Sequence, residues 1–238
     1  MKSGVIIQAR INSERLPGKI LMPLNGEPIL FRVIERCQEI ENIDKIVIAI
    51  PDTKQNEVIE KNINEWKFKV KKPLKLFKGD EKNVLSRTYN AAIENDLTTI
   101  MRITSDCPFI DPKVSSSLLN IYKRNNAEYA RLDSFQGFPI GFETEIFETL
   151  SLSKLMKLPL SKSYLEHVTP YFWKNPDKFN SIILSSTPNL RHIRLVVDTP
   201  EDLEMSQIAY KYLKKEKGLF DYKDIKNLLA KKPEIFKI

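Results

Sequence analysis

Val5-Ile6-Ile7-Gln8-Ala9-Arg10-Ile11-Asn12-Ser13-Glu14-Arg15-Leu16-Pro17-Gly18-Lys19 opens the chain with a short apolar run that stops in a cationic loop. Val5 to Ile7 reads as a first buried strand, ending at Gln8. The loop beyond it carries Arg10, Arg15 and Lys19, with a Pro17-Gly18 turn just before the lysine. Three cations at the tip of a buried strand suit a polyphosphate, because arginine offers a flat fork of donors and lysine a mobile point charge. The loop lacks G-x-x-x-x-G-K-[ST], so it is not a Walker loop. Gly18 is its only glycine, so it is not a dinucleotide fingerprint either. Taken by itself, a solvated basic loop is the alternative.

Working outward, strand-like and helix-like segments alternate. Ile29, Leu30, Val33, Ile34, Cys37 and Ile40 fall at helical spacing. Lys45 to Ile50 is a buried strand, and a polar helix follows from about Gln55 to Trp66. A strand within Leu74 to Phe77, a helix from Lys82 to Glu94 and a strand from Thr99 to Ile103 come next. Pro112 opens a helix to about Lys123, at a position where proline is well tolerated. This alternation predicts an α/β fold with a mostly parallel sheet sandwiched by helices. Ligands in such folds bind beyond the carboxyl ends of the strands. After Tyr129 the pattern changes: Gly137, Pro139 and Gly141 interrupt an aromatic segment, Phe135 to Phe142. It reads as an excursion over roughly 130–150 within a single domain spanning 1–238. Helices are expected at Glu145 to Met156 and Ser163 to Trp173, strands near Asn180 to Leu184 and His192 to Val197, and helices at Glu201 to Lys215 and Tyr222 to Leu229.

The 238 residues are enough for one sizeable core, and 42% are hydrophobic in short runs. No stretch approaches the ~18 apolar residues of a membrane span. The start runs straight into a strand, which predicts no signal peptide. The net charge of +7 comes from scattered basic residues without a nucleic-acid module, so it points to solvated lysine faces or an anionic small-molecule substrate. No nucleic-acid or membrane partner is expected. Cys37 and Cys107 stand alone, which predicts reduced thiols in a cytoplasmic protein.

Asp106 in Arg102-Ile103-Thr104-Ser105-Asp106-Cys107-Pro108 and Asp198 in Val196-Val197-Asp198-Thr199-Pro200 each follow an apolar strand. On the rim of the cationic loop they suit magnesium, which takes one or two carboxylates plus phosphate oxygens and water. Each is equally placed to cap the helix that follows it. Thr199 also fits the cap position before Pro200. His167 and His192 are the only histidines, and taken singly each reads as structural.

The series A-R-x-x-S-x-R-L-P-G-K resembles the opening signature of the cytidylyltransferase family that makes CMP-sugars, including the CMP-KDO and CMP-acylneuraminate synthetases and the spore-coat polysaccharide cytidylyltransferase-like proteins. R-I-T-S-D-C-P-F-I-D-P and V-D-T-P-E-D resemble its two later motifs, whose aspartates bind the metal. Phe138 to Glu145 and Glu166-His167-Val168-Thr169-Pro170 resemble acceptor-side motifs of the spore-coat branch, and Gly79 to Arg87 resembles a segment near base and ribose. Matching motifs run from Val5 to Asp202 in the family's order. There are departures at Leu165, Glu143 and Val196, all on the acceptor side.

The resemblance implies a Rossmann-like nucleotide-diphospho-sugar transferase fold with a dimerisation excursion. It implies magnesium-dependent transfer of CMP from CTP to an acidic sugar or phosphorylated acceptor in cell-surface glycan synthesis, with release of pyrophosphate. Catalysis would fall to Arg10, Arg15, Lys19, Asp106 and Asp198, the two aspartates holding Mg2+. The nucleotide would meet Gln8, Ala9, Arg10, Ser13, Arg15, Lys19, Asp80, Asn83, Arg87, Thr104 and Ser105. The acceptor would meet Pro139, Gly141, Glu143, Glu166 and His167. A homodimer burying Phe135 to Phe147 is expected. The competing classes are a sugar-phosphate nucleotidyltransferase using another triphosphate, a nucleotide-sugar glycosyltransferase and an inactive nucleotide-binding scaffold. The first usually opens with a G-x-G-T-R loop, absent here, and the second usually carries a D-x-D metal motif, missing because Asp106 is followed by Cys107-Pro108.

Overall fold

The first apolar run forms strand β1 (Ser3–Gln8), buried on both faces: Val5 and Ile7 enter one core layer and Ile6 the other. That two-faced burial places it inside a sheet, not at an edge. The computed structural model describes residues 2–216 and 218–237, apart from the side chains of 215 and 216. A hairpin of β2 (Pro23–Leu24) and β3 (Glu27–Pro28) leads into α1 (Ile29–Cys37). Then come β4 (Lys45–Pro51), α2 (Glu57–Trp66), β5 (Leu74–Gly79), α3 (Val84–Glu94), β6 (Thr99–Thr104) and α4 (Pro112–Arg124). The remainder holds β7 (Tyr129–Leu132), β8 (Glu145–Glu148), α5 (Thr149–Met156), α6 (Lys162–His167), α7 (Pro170–Lys174), β9 (Ser181–Leu184), α8 (Pro200–Glu216) and α9 (Tyr222–Lys231).

The sheet order is β5-β4-β1-β6-β8-β7-β9. β5, β4, β1 and β6 run parallel, β8 is antiparallel to both neighbours, and β9 is parallel to β7. The chain winds outward from β1 through β4 to β5, then crosses back to place β6 on the other side of β1. The crevice between the tips of β1 and β6 is therefore the topological switch point, where a doubly wound sheet binds its ligand. Helices α1, α2, α4, α8 and α9 pack one face, and α3, α5 and α7 the other.

Four segments differ from the sequence expectation. Glu145–Glu148 is a strand and only Thr149–Met156 is helix. The helix expected over Ser163 to Trp173 breaks in two at Val168, whose φ of 69° is left-handed. Tyr129–Leu132 is an unanticipated strand. His192 to Val197 forms no strand: it holds one isolated bridge, Ile140 to Arg194, although Ile193, Leu195 and Val197 are buried.

The excursion between β7 and β8 spends most of its aromatic surface inside the chain. Phe138 and Phe142 pack on Tyr222 at ring separations of 5.7 and 4.9 Å, and Phe147 packs on Phe172 at 5.5 Å. Among the phenylalanines of Phe135 to Phe147, Phe135 alone stays outside, at 66% exposure, with the Arg191 guanidinium 3.7 Å from its ring centre. Of the four phenylalanines expected at an interface, three are thus buried within the chain itself.

Candidate active site

The loop after β1 is shaped by the Asn56 side chain and by its own backbone. Asn56 accepts the Ile11 N–H at 2.9 Å, and the Gly18 N–H returns to the Ile11 carbonyl at 3.0 Å. Gly18, at φ 72°, then turns the chain into the short 3-10 helix Lys19–Leu21. A left-handed residue here favours glycine, which has no Cβ to clash. The turn sends Lys19 inward, leaving it 7% exposed.

Lys19 Nζ meets Asp106 Oδ2 at 2.6 Å and Asp198 Oδ1 at 2.7 Å. The other Asp198 oxygen accepts from Arg15 at 2.8 Å. Burial works to lower the Lys19 pKa, but the charges and hydrogen bonds of Asp106 and Asp198 outweigh it and raise it above the ordinary lysine value. Lys19 is therefore a fixed cation. The two carboxylates converge on one point although they lie 87 and 179 residues from Lys19 in sequence.

The capping alternative is removed by geometry. Asp111 caps α4 by accepting the Val114 N–H at 2.8 Å. At α8, Thr199 Oγ1 accepts the Asp202 N–H at 3.2 Å, while Asp202 accepts the Thr199 and Asp198 N–H groups at 3.1 and 3.0 Å. This reciprocal pair is a capping box. Neither Asp106 nor Asp198 is needed at a helix end. Asp202 also takes both arms of Arg194 at 3.0 and 3.1 Å.

Gly141 and Ile140 hold the segment that delivers Asp198. Ile140 exchanges backbone hydrogen bonds with Ile193 and Leu195, and Val197 N–H donates to the Asp106 carbonyl at 2.9 Å. A Cβ on Gly141 would lie 2.5 Å from the backbone of Leu195 and Val196.

A cleft of about 330 Å3 opens over these groups. Gln8, Ala9, Arg10, Ser13, Arg15, Lys19, Arg87, Thr104, Ser105, Asp106, Glu166, His167 and Asp198 line it. Asn12, Glu14, Ile20 and Val84 line it too and were not anticipated; each neighbours a residue that was. Arg87 is buried, and its guanidinium donates to the carbonyls of Asp80 and Glu81. Burial and then the Arg10 charge lower its pKa to about 10. Asp80 and Asn83 lie apart from this cleft, in an adjoining hollow of about 570 Å3 bounded by Arg10, Lys162 and Glu166. Asn83 caps α3 through the Ser86 N–H, and Asp80 turns the chain by accepting the Lys82 and Asn83 N–H groups.

The expected acceptor group divides. Glu166 and His167 reach the cleft, whereas Pro139, Gly141 and Glu143 line neither hollow. Glu143 is turned back to the Gly141 N–H at 2.7 Å, and burial raises its pKa. The Gly141 turn is occupied in packing the Leu195 backbone, which is why its motif faces inward.

Among the described residues no group of three or more His, Cys, Asp or Glu side chains is placed to cage a metal. The chemistry of the Asp106–Asp198 pair, two carboxylates converging beside a cationic loop, fits an ion that takes most of its shell from phosphate and water. Magnesium is that kind of ion.

The family model described as cytidylyltransferase matches residues 4–236. Protein MJ1063 of Methanocaldococcus jannaschii, whose name assigns no function, is 33% identical over 99% of this chain and 93% of its own length. The spore coat polysaccharide biosynthesis protein SpsF of Bacillus subtilis is 28% identical over 86% of this chain and 85% of its own. A solved cytidylyltransferase from Leptospira borgpetersenii superposes with a TM-score of 0.90 at 29% identity, covering 100% of this chain and 97% of that one. A nucleotidyltransferase enzyme by its relatives and its fold, this chain belongs to the cytidylyltransferase family.

Proposed function

We propose that the protein transfers CMP from CTP to an acidic sugar or phosphorylated acceptor, with magnesium, and releases pyrophosphate. The observation that carries this reading is the convergence of Asp106 and Asp198 on buried Lys19, at the switch point and beside Arg10 and Arg15. The triphosphate lies over Ala9 to Lys19. The acceptor oxygen bonds to the α-phosphorus in line as the bond to the bridging oxygen of pyrophosphate breaks. Arg10, Arg15 and Lys19 neutralise the charge that grows on the leaving group. Magnesium, when held by Asp106 and Asp198, supplies a Lewis acid on the phosphate oxygens. Most of the rate enhancement comes from positioning and preorganised charge, without a covalent intermediate on the protein. Arg87 lines the nucleotide side of the cleft, while Glu166 and His167 face the acceptor.

The acidic acceptor is supported by the net charge of +7 and the likeness of the loop to CMP-sugar synthetases. Glycan synthesis is supported by the name of the Bacillus relative. Two free buried cysteines fit a reducing cytoplasm. No helix among the described residues is long and apolar enough to cross a membrane. The reading includes a homodimer of chains that each form one catalytic domain, with Phe135 and Ile183 as exposed apolar groups near the outer strand β9.

Thermal unfolding with magnesium and each nucleoside triphosphate tests the nucleotide. CTP should raise the melting temperature most, by an amount that grows with its concentration. Equal shifts from all four triphosphates would remove the base assignment, and no shift from any would remove the site. Pyrophosphate release from CTP with a panel of sugar acids and phosphorylated acceptors then identifies the acceptor.

A further inference from the structure

Under the floor of the cleft runs a buried polar chain that the reaction described above does not use. Arg102 and Glu145 are direct cross-strand partners on β6 and β8, and their side chains form an ion pair. Both are almost sealed from solvent, with side-chain exposures of 12% and 9%. The second Glu145 oxygen accepts from the Tyr129 hydroxyl at 2.5 Å. Burial, and then the Glu145 charge, push the Tyr129 pKa well above its ordinary value, so the hydroxyl stays a donor. The chain ends on an uncharged group: Arg102 Nε donates to Gln8 Oε1 at 2.9 Å.

That last contact fixes the polarity of an amide that is otherwise free to turn over. A guanidinium has donors and no acceptor, so the Gln8 atom facing it has to be the oxygen. That leaves the amide nitrogen, with two N–H donors, as the polar end of Gln8 not taken up by Arg102, and Gln8 lines the cleft. A buried ion pair is weak evidence for stability, since well-packed apolar residues often do as well. Holding a recognition group in one orientation is a use that apolar residues cannot replace.

We propose that Arg102 is a positioning residue that locks the Gln8 amide with its donors toward the cleft, and that the bound nucleotide presents a hydrogen-bond-accepting atom there. This rests on the nucleotide reading above. Gln8 directly precedes the Ala9–Lys19 loop, so the ligand held by that loop is the one nearest to it. The accepting atom is either an oxygen common to all pyrimidine nucleotides, on ribose, phosphate or the C2 carbonyl of the base, or the cytosine ring nitrogen. Uracil carries a hydrogen at that ring position and would oppose a locked donor.

The test is calorimetry of CTP and UTP with magnesium on the wild-type protein and two variants. Gln8→Glu keeps a partner for Arg102 and replaces the donor by a carboxylate. It should unfold at the wild-type temperature or above, yet bind CTP roughly tenfold or more weakly, as expected for one hydrogen bond lost to substrate. An equal loss for CTP and UTP places the donors on a shared oxygen of ribose, phosphate or the C2 carbonyl; a loss confined to CTP places them on the ring nitrogen. Arg102→Gln/Glu145→Gln removes the lock without stranding a buried charge, and CTP affinity, corrected for folded fraction, should fall several-fold with it. Wild-type CTP affinity in Gln8→Glu overturns the proposal. Weak binding in Gln8→Glu with wild-type affinity in the double variant overturns the role of Arg102. A wild-type protein that binds no triphosphate removes the nucleotide reading itself, and the proposal with it.

Discussion

Asp198→Asn separates the two jobs an aspartate can do at this position. In the wild type its oxygens accept from Lys19 at 2.7 Å and Arg15 at 2.8 Å, and Thr199 with Asp202 caps the helix. Asparagine keeps one oxygen able to accept from the Lys19 cation, so a charge-assisted hydrogen bond remains and the loss there is the attraction between two ionised partners. That is about 1–1.5 kcal/mol. The Arg15 contact adds little, because the Arg15 side chain is 65% exposed and its charge is screened. At roughly 2–4 °C per kcal/mol for a chain of this size, the melting temperature should fall by only about 3–5 °C. Turnover should fall far more, by about 10²–10³-fold, the scale of losing one preorganised charge at a reacting centre. The assay pairs thermal unfolding with pyrophosphate release across a magnesium titration, and metal-free CTP binding should change least. Turnover within a fewfold of wild type, with an unaltered magnesium response, would refute the assignment of Asp198.

Two further outcomes follow from the scaffold that presents this carboxylate. Asp202→Asn should cost about 1–2 kcal/mol at neutral pH through the weakened cap and Arg194 pair; burial acts to raise the Asp202 pKa, but Arg194 and the backbone donors prevail and lower it below 3.8. A depressed carboxyl stabilises above its unfolded pKa and loses that contribution as pH falls through the folded value, so the gap between variant and wild type should be constant near neutrality and close below 3.8; a gap that widened in acid would contradict this. Gly141→Ala should lower the melting temperature by several degrees and reduce turnover, since φ is 96° and the new Cβ would meet the Leu195–Val196 backbone at 2.5 Å; wild-type behaviour in both measurements would show that the 193–198 segment moves freely.

The parallel half of the sheet was legible because its strands are continuous apolar runs between amphipathic helices, as in Lys45–Pro51. The antiparallel half was not. Glu145-Ile146-Phe147-Glu148 begins with a good helix former, and what makes it a strand is the pairing of Glu145 with Arg102, 43 residues earlier. The break between α6 and α7 left no signal: it falls at Val168, a β-branched residue with φ 69°, while Thr169 before Pro170 stays in the right-handed helical region. His192 to Val197 has a strand's alternation, but the fold provides only the Ile140 bridge to pair with it. In the site, the cations and Asp106 were readable from charge and position at strand ends, and Asp198 from its place after an apolar run that forms only a single bridge. The inward-facing Pro139–Glu143 turn was not, because sequence does not show which side of a glycine turn meets the core. Nor was the link from Arg102 to Gln8, which spans 94 residues.

The bonds that converge on Lys19 reach across 87 residues to Asp106 and 179 to Asp198. No local folding unit contains them. Contacts so remote in sequence close late, after the entropy of the intervening loops has been lost. A ribosome-bound chain that has completed β1 to β6 holds the cationic loop and one carboxylate but not the other. The chemistry of this protein is thus a property of its finished topology: a partly folded chain has the residues of the site without the site.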